Sequence, residues 1–156
     1  MNFEFASAGR ILFGPGCVSE LPKLIRGLGG NRVLAVTGGS PERLAALLDK
    51  VSASGCTLTV FPVRGEPSTD TLAGGLALAR ENGSDCVIAV GGGSVIDAGK
   101  AVAALLTNPG DIFDYLEVVG AGKPLLNRSA PCVAVPTTAG TGAEVTRNSV
   151  LRSEEH

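Results

Sequence analysis

Apolar residues fall along the chain in two rhythms, and the two alternate. Short unbroken runs occupy Arg32 to Thr37, Cys56 to Phe61, Asp85 to Val90 and Pro131 to Val135. They are mainly apolar rather than alternating, which is the pattern of strands buried on both faces of a parallel sheet. Between them lie stripes at helical spacing: Leu21, Leu24, Ile25 and Leu28; Leu44, Leu47, Leu48 and Val51; Leu72, Leu76 and Ala79; Val95, Gly99, Val102 and Leu106. The punctuation agrees. Ser19 is placed to N-cap the first helix, with Pro22 in its first turn and Gly29-Gly30 ending it. Ser40-Pro41-Glu42 and Pro67-Ser68-Thr69-Asp70 open two more, the latter stopping near Gly83. At the start, Phe3 to Ala6 and Arg10 to Phe13 read as a pair of short strands before the turn Gly14-Pro15-Gly16. Beyond Asn108-Pro109-Gly110-Asp111, Ile112 to Leu116 reads as one helical turn, and Asn148 to Leu151 reads as a last strand. The expected fold is α/β: a Rossmann-like parallel sheet flanked by helices, with an N-terminal pair of short strands, in one domain over residues 1–156.

Ligands of such sheets bind beyond the carboxyl ends of the strands. At one such end the run Asp85 to Val90 breaks into Gly91-Gly92-Gly93-Ser94 and passes into a helix carrying Asp97 and Lys100. Glycine admits close approach to the backbone, and the leading amides of a helix lack internal partners. Two familiar phosphate motifs fail here. Gly93 and Gly99-Lys100 are separated by five residues instead of the four of a P-loop, with Ala101 in place of Ser or Thr. The dinucleotide fingerprint fails for want of a third glycine at the right offset. The glycines are thus consistent with an anion site or with a tight strand-to-helix turn. Gly38-Gly39-Ser40 stands at a second strand end, and two glycine turns on one edge favour a ligand longer than a lone phosphate. At a third end, Thr137, Thr138, Thr141 and Thr146 accompany Gly140 and Gly142. Their hydroxyls suit ribose or phosphate, or an ordinary polar loop.

Composition removes several alternatives. The 156 residues are 44% hydrophobic and 18% charged, with a formal net charge of −2 and no basic block, so nucleic acid is not an expected partner. No run reaches the length of a membrane span, and the N-terminus lacks the basic and apolar regions of a signal peptide. Cys17, Cys56, Cys86 and Cys132 are widely spaced and read as reduced thiols in a cytoplasmic protein. The single histidine is His156, so a histidine-rich metal site within the chain is not expected.

The motifs Gly91-Gly92-Gly93-Ser94 with Asp97-x-x-Lys100, and Pro136-Thr137-Thr138-Ala139-Gly140-Thr141-Gly142-x-Glu144-Val145-Thr146, together resemble the iron-containing alcohol dehydrogenase family. Phe13-Gly14-Pro15-Gly16 and the turn around Pro67 fit as well. The resemblance covers essentially all of the chain but only the first part of a family member. It implies that Gly92, Gly93 and Ser94 hold the pyrophosphate of NAD or NADP, with Asp97 one helical turn on. By the same resemblance, Thr137, Thr138, Thr141 and Thr146 line the adenosine and nicotinamide ends. The family's divalent metal, iron or zinc, is held by one Asp and three His of a following helical domain, so it is expected only in a full-length enzyme. Many NAD-using members carry Asp where this chain has Gly38. Gly38, Gly39 and Ser40 offer amides and a hydroxyl instead, so NADP is expected to be accepted or even preferred. Glu66, where a common pattern has Asn, is expected to face solvent.

The implied function is the cofactor-binding domain of an NAD(P)-dependent alcohol dehydrogenase, inactive alone, with a small alcohol or aldehyde as substrate and a homodimer as the assembly. Glycerol dehydrogenases, maleylacetate reductases and dehydroquinate synthases share the glycine turn, and a non-catalytic nucleotide-binding module is an alternative of another class. Arg152 to His156 reads as a turn after the last strand, with nothing like a closing helix, which suggests truncation.

Overall fold

Four parallel strands form the sheet of the computed structural model, which describes residues 8–152. β1 (Arg32–Thr37) and β3 (Cys86–Gly91) are central, with β2 (Thr57–Pro62) and β4 (Cys132–Pro136) at the edges, in the order β2-β1-β3-β4. All four runs are strands, but only the two central ones are covered on both faces; the expected two-faced burial fails at the edges, where one side of each strand has no neighbour. β3 is buried at every position, whereas edge strand β4 is only partly buried.

Alternate side chains of the central strands feed two cores. Val33 and Ala35 of β1, with Cys86, Ile88 and Val90 of β3, pack against α1 (Leu21–Gly27) and α2 (Ala45–Ala53). Leu34, Val36, Val87 and Ala89 pack on the other face against α3 (Thr69–Glu81) and α4 (Gly93–Thr107). Of the predicted stripes, Leu21 and Ile25, Leu48 and Val51, Leu72, Leu76 and Ala79, and Val95, Gly99 and Val102 are buried, joined by Ile96; Leu24, Leu44, Leu47 and Leu106 are only partly buried, and Leu28 at the end of α1 is exposed. α4 lies very close to the sheet. A Cβ added at Gly99 would come within 2.6 Å of the Ala89 Cβ, so glycine there sets the helix-to-sheet distance. α5 (Ile112–Tyr115) is the single helical turn read from the sequence, closed by a capping box between Asp111 and Asp114.

Four local expectations are corrected. Arg10 to Phe13 is irregular chain, with Ile11 64% and Phe13 100% exposed. Apolar composition makes no strand without a neighbour to bond, and none pairs with it among the described residues. Phe3 to Ala6 lies outside the described residues. Asn148 to Leu151 is not a strand either; only an isolated parallel bridge joins Arg152 to Ser68. Ser19 does not cap α1. It lies inside a 3-10 turn, Cys17–Glu20, that leads straight into the helix. Ser40 precedes another 3-10 turn, Pro41–Leu44, and its side chain makes no capping bond. Ser68 does cap α3, accepting from the Thr71 amide.

Candidate functional site

The strand order creates one special place on the carboxyl edge. From β1 the chain leaves toward β2 on one side. From β3 it leaves toward β4 on the other. The loops that follow β1 and β3 therefore diverge, and a crevice opens between them where open α/β sheets take their ligands. Those two loops are Gly38-Gly39-Ser40 and Gly92-Gly93-Ser94. Register places them side by side, since Thr37 pairs with Val90. The row continues outward in both directions. The Val63 amide donates to Thr37 O at 2.8 Å, which brings the end of β2 against β1, and the Thr137 amide donates to Gly91 O at 2.9 Å, which joins the end of β4 to β3.

α4 begins at the glycine turn. Val95 and Ile96 donate to Gly92 O, so the amides of Gly93 and Ser94 are the leading donors of the helix, and no side chain caps them. With fifteen residues behind it, this terminus carries the partial positive charge of a full-length helix dipole. Gly92 is extended, at φ −80° and ψ −174°, so backbone strain does not demand glycine there. Space does. A Cβ on Gly93 would sit 3.0 Å from Thr141 Cγ2, and one on Gly92 would sit 3.4 Å from Thr138 Oγ1. The threonine loop thus closes over the glycine turn, and Thr138 and Thr141 become its wall while staying solvent-exposed.

A buried fastener holds that wall in place. Lys100, two turns into α4, donates to Ala143 O at 2.8 Å, to Thr146 Oγ1 at 3.2 Å and to Asn148 O. Its ammonium also pairs with Asp97 Oδ1 at 3.0 Å, the two side chains being only 16% and 13% exposed. Asp97 and Thr146 are therefore tied to Lys100, whereas Gly92, Gly93, Ser94, Thr138 and Thr141 converge on the turn itself. Gly38, Gly39 and Ser40 sit across the crevice. In the sequence Lys100 stands in a failed P-loop pattern and in the family motif with Asp97, neither of which gives it this role. A second residue drew no attention there: Arg64, in the loop after β2, lays its side chain along Gly39, 3.1 Å from Cγ to where a Cβ would stand. Glu66 is exposed, as expected.

Uncapped amides, a Cβ-free turn and a wall of hydroxyls fit a diphosphate with attached riboses, so the residues present suit a nicotinamide dinucleotide. A metal is a different matter. Among the described residues no group of three or more His, Cys, Asp or Glu is placed to hold one. Nor is any helix among them long and apolar enough to cross a membrane. A shallow depression on the opposite edge, lined in part by Arg80, Asp85 and Thr107, contains none of the predicted residues.

These features define a doubly wound α/β domain with its ligand edge at the β1/β3 switch point. Residues 8–156 match the iron-containing alcohol dehydrogenase family, and the chain belongs to it. It is 35% identical over 150 residues to alcohol dehydrogenase 4 of Schizosaccharomyces pombe, covering 92% of this chain and 34% of that protein. Among solved structures, it superposes on a 1,3-propanediol oxidoreductase with a TM-score of 0.89 and 32% identity, over 99% of this chain and 40% of that one. On sulfoacetaldehyde reductase from Bifidobacterium kashiwanohense, solved in complex with NAD+, the TM-score is 0.84 and the identity 30%, over 98% and 40% of the two chains. The chain thus spans between a third and two fifths of the length of these relatives.

Proposed function

We propose that the chain is the nucleotide-binding domain, over residues 1–156, of an NAD(P)-dependent, metal-dependent alcohol dehydrogenase. The observation that carries this reading is the uncapped α4 terminus at Gly92-Gly93-Ser94, walled by Thr138 and Thr141 at the switch point. In it, the Gly93 and Ser94 amides bind the cofactor diphosphate, and Thr138 and Thr141 offer hydroxyls beside it. Thr137 continues the same wall. Thr146 and Asp97 act through Lys100, keeping the wall at its distance from the turn. Gly38, Gly39 and Ser40 receive the adenosine ribose, where the missing carboxylate leaves room for NADP as well as NAD. When bound, the nicotinamide exchanges a hydride with an alcohol or aldehyde. The divalent metal, iron or zinc, belongs to chain outside the described residues, and the described residues alone are inactive.

The comparisons support this division of labour. Three relatives of similar identity carry names for different substrates, so what they share with this chain suits the common nucleotide better than the variable substrate. The four free thiols support a cytoplasmic location. Exposed Ile11 and Phe13 support pairing with a second copy, which light scattering would register as a doubled mass.

The test is Gly93→Val. Its branched side chain would collide with Thr141 and cover the leading amides. Titration with NADH and NADPH should give saturable binding to the wild type and at least a ~30-fold loss in the variant, equivalent to about 2 kcal/mol. Unchanged binding by a folded variant would refute the site.

A further inference from the structure

We propose that Arg64 is a specificity-determining residue that favours a 2′-phosphorylated nucleotide; this rests on the nucleotide reading above and names the cofactor class the site prefers. β2 lies beside β1, Thr37 pairing with Pro62, and the Val63 amide extends that ladder by one bond. The next residue, Arg64, therefore emerges one strand spacing from Gly38. Its side chain turns inward over the β1 loop. Cγ lies 3.1 Å and Nε 3.6 Å from the point where a Gly39 Cβ would stand. The guanidinium stem is thus carried onto the same turn that faces Gly92-Gly93 across the crevice.

The second observation is that this arginine is unspent. Among the described residues Arg64 makes no ion pair and no hydrogen bond, although the exposed carboxylate of Glu66 is close in sequence. The turn it covers carries no carboxylate of its own. At Gly38 a Cβ would meet nothing within 4 Å and the backbone is not left-handed, so an acidic side chain would fit there and is simply not present. In doubly wound domains the ribose next to the diphosphate lies over the tip of the neighbouring strand. A carboxylate at that tip binds the 2′-hydroxyl, and an arginine accommodates a 2′-phosphate. An unpaired, planar, permanently charged fork over a turn without a carboxylate meets the second condition. It can take two phosphate oxygens through a rigid planar fork, a geometry a lysine ammonium does not offer. A solvated arginine with no role would show the same exposure, but it would not discriminate between nucleotides.

The experiment titrates the full chain and its Arg64→Ala and Arg64→Lys variants with NADPH and NADH at one fixed ionic strength. Arg64→Ala should weaken NADPH about tenfold or more while NADH changes by less than about twofold. Arg64→Lys should fall between the wild type and alanine. Gly38→Asp, which the open space tolerates, should reverse the preference toward NADH. Equal losses for both nucleotides, or no loss for either, would overturn the role of Arg64 while leaving the nucleotide site intact. A wild-type chain that binds neither nucleotide would overturn both together. The side chain is exposed, so the alanine variant should keep the wild-type melting temperature, and its binding data can be read directly.

Discussion

Replacing Lys100 by Met tests how the threonine wall is held. The substitution keeps the length and most of the apolar packing of the side chain but removes the ammonium. Three protons are lost from a cluster of acceptors: Ala143 O, Thr146 Oγ1, Asn148 O and Asp97 Oδ1. Two of these are backbone carbonyls of the wall, and one is a carboxylate left 13% exposed without its cation. An exposed ion pair would contribute about 1 kcal/mol or less, and breaking a fully buried one costs about 3–5 kcal/mol. Asp97 lies toward the buried limit, so a loss of about 3 kcal/mol is expected, or a fall in melting temperature of roughly 6–12 °C for a chain of this size. That leaves a folded protein, given the usual ~5–15 kcal/mol of total stability. Urea denaturation gives the stability, and a parallel NADH titration should show affinity falling as the wall detaches. The double variant Asp97→Asn with Lys100→Met removes the orphaned charge and should recover part of the stability but not the wall, since the carbonyls remain without a donor. Wild-type stability and affinity in Lys100→Met would refute the fastener.

Other consequences are equally direct. Asn108 is 1% exposed, its Oδ1 accepts from the Leu126 and Asn127 amides, and its Nδ2 donates to Ala104 O. Asn108→Ala strands these groups and should cost about 2–4 kcal/mol in chemical denaturation, with nucleotide affinity unchanged because the residue lies at the far end of α4. Alkali should also destabilise the fold. Burial foremost, then the neighbouring Cys132, Asp85 and Cys56, pushes the Cys86 thiol up to about 12, and burial pushes Cys132 up to about 11. The unfolded chain releases these protons near the ordinary thiol value of 9.0, while the folded chain keeps them. Stability is therefore full below that pH and declines as the pH rises through the folded values. Denaturation at about pH 8 and about pH 10 should show the decline, and substituting both cysteines with Ala should flatten it.

What the sequence disclosed follows from how local the cause was. β1, β3 and α4 were legible because burial on both faces, or on one stripe, writes itself into composition. The opening Pro67-Ser68-Thr69-Asp70 was legible from residue type, and Ser68 caps α3 because its backbone is extended, at φ −88° and ψ 169°. Ser40 has the same chemistry but sits at φ −128° and ψ 69°, outside that geometry, and a 3-10 turn intervenes. Arg10 to Phe13 and Asn148 to Leu151 look like strands, yet a strand exists only through its neighbour, which no local pattern reveals. The site followed the same rule. The glycine turns and threonines were found from residue type, and the sheet order then brought Gly38, Gly92 and Thr138 to one edge. Lys100 and Arg64 were not assigned roles. Their meaning depends on carbonyls more than forty residues away, or on which strand lies beside which.

The most direct measurement is an amide-resonance titration of isotope-labelled protein with NADPH. Saturable shifts of the Gly93 and Ser94 amides, accompanied by those of Thr138 and Thr141, are the predicted result. Shifts confined to the opposite edge, around Asn31, Gly55 and Asp85, with the glycine turn unmoved, would contradict the account.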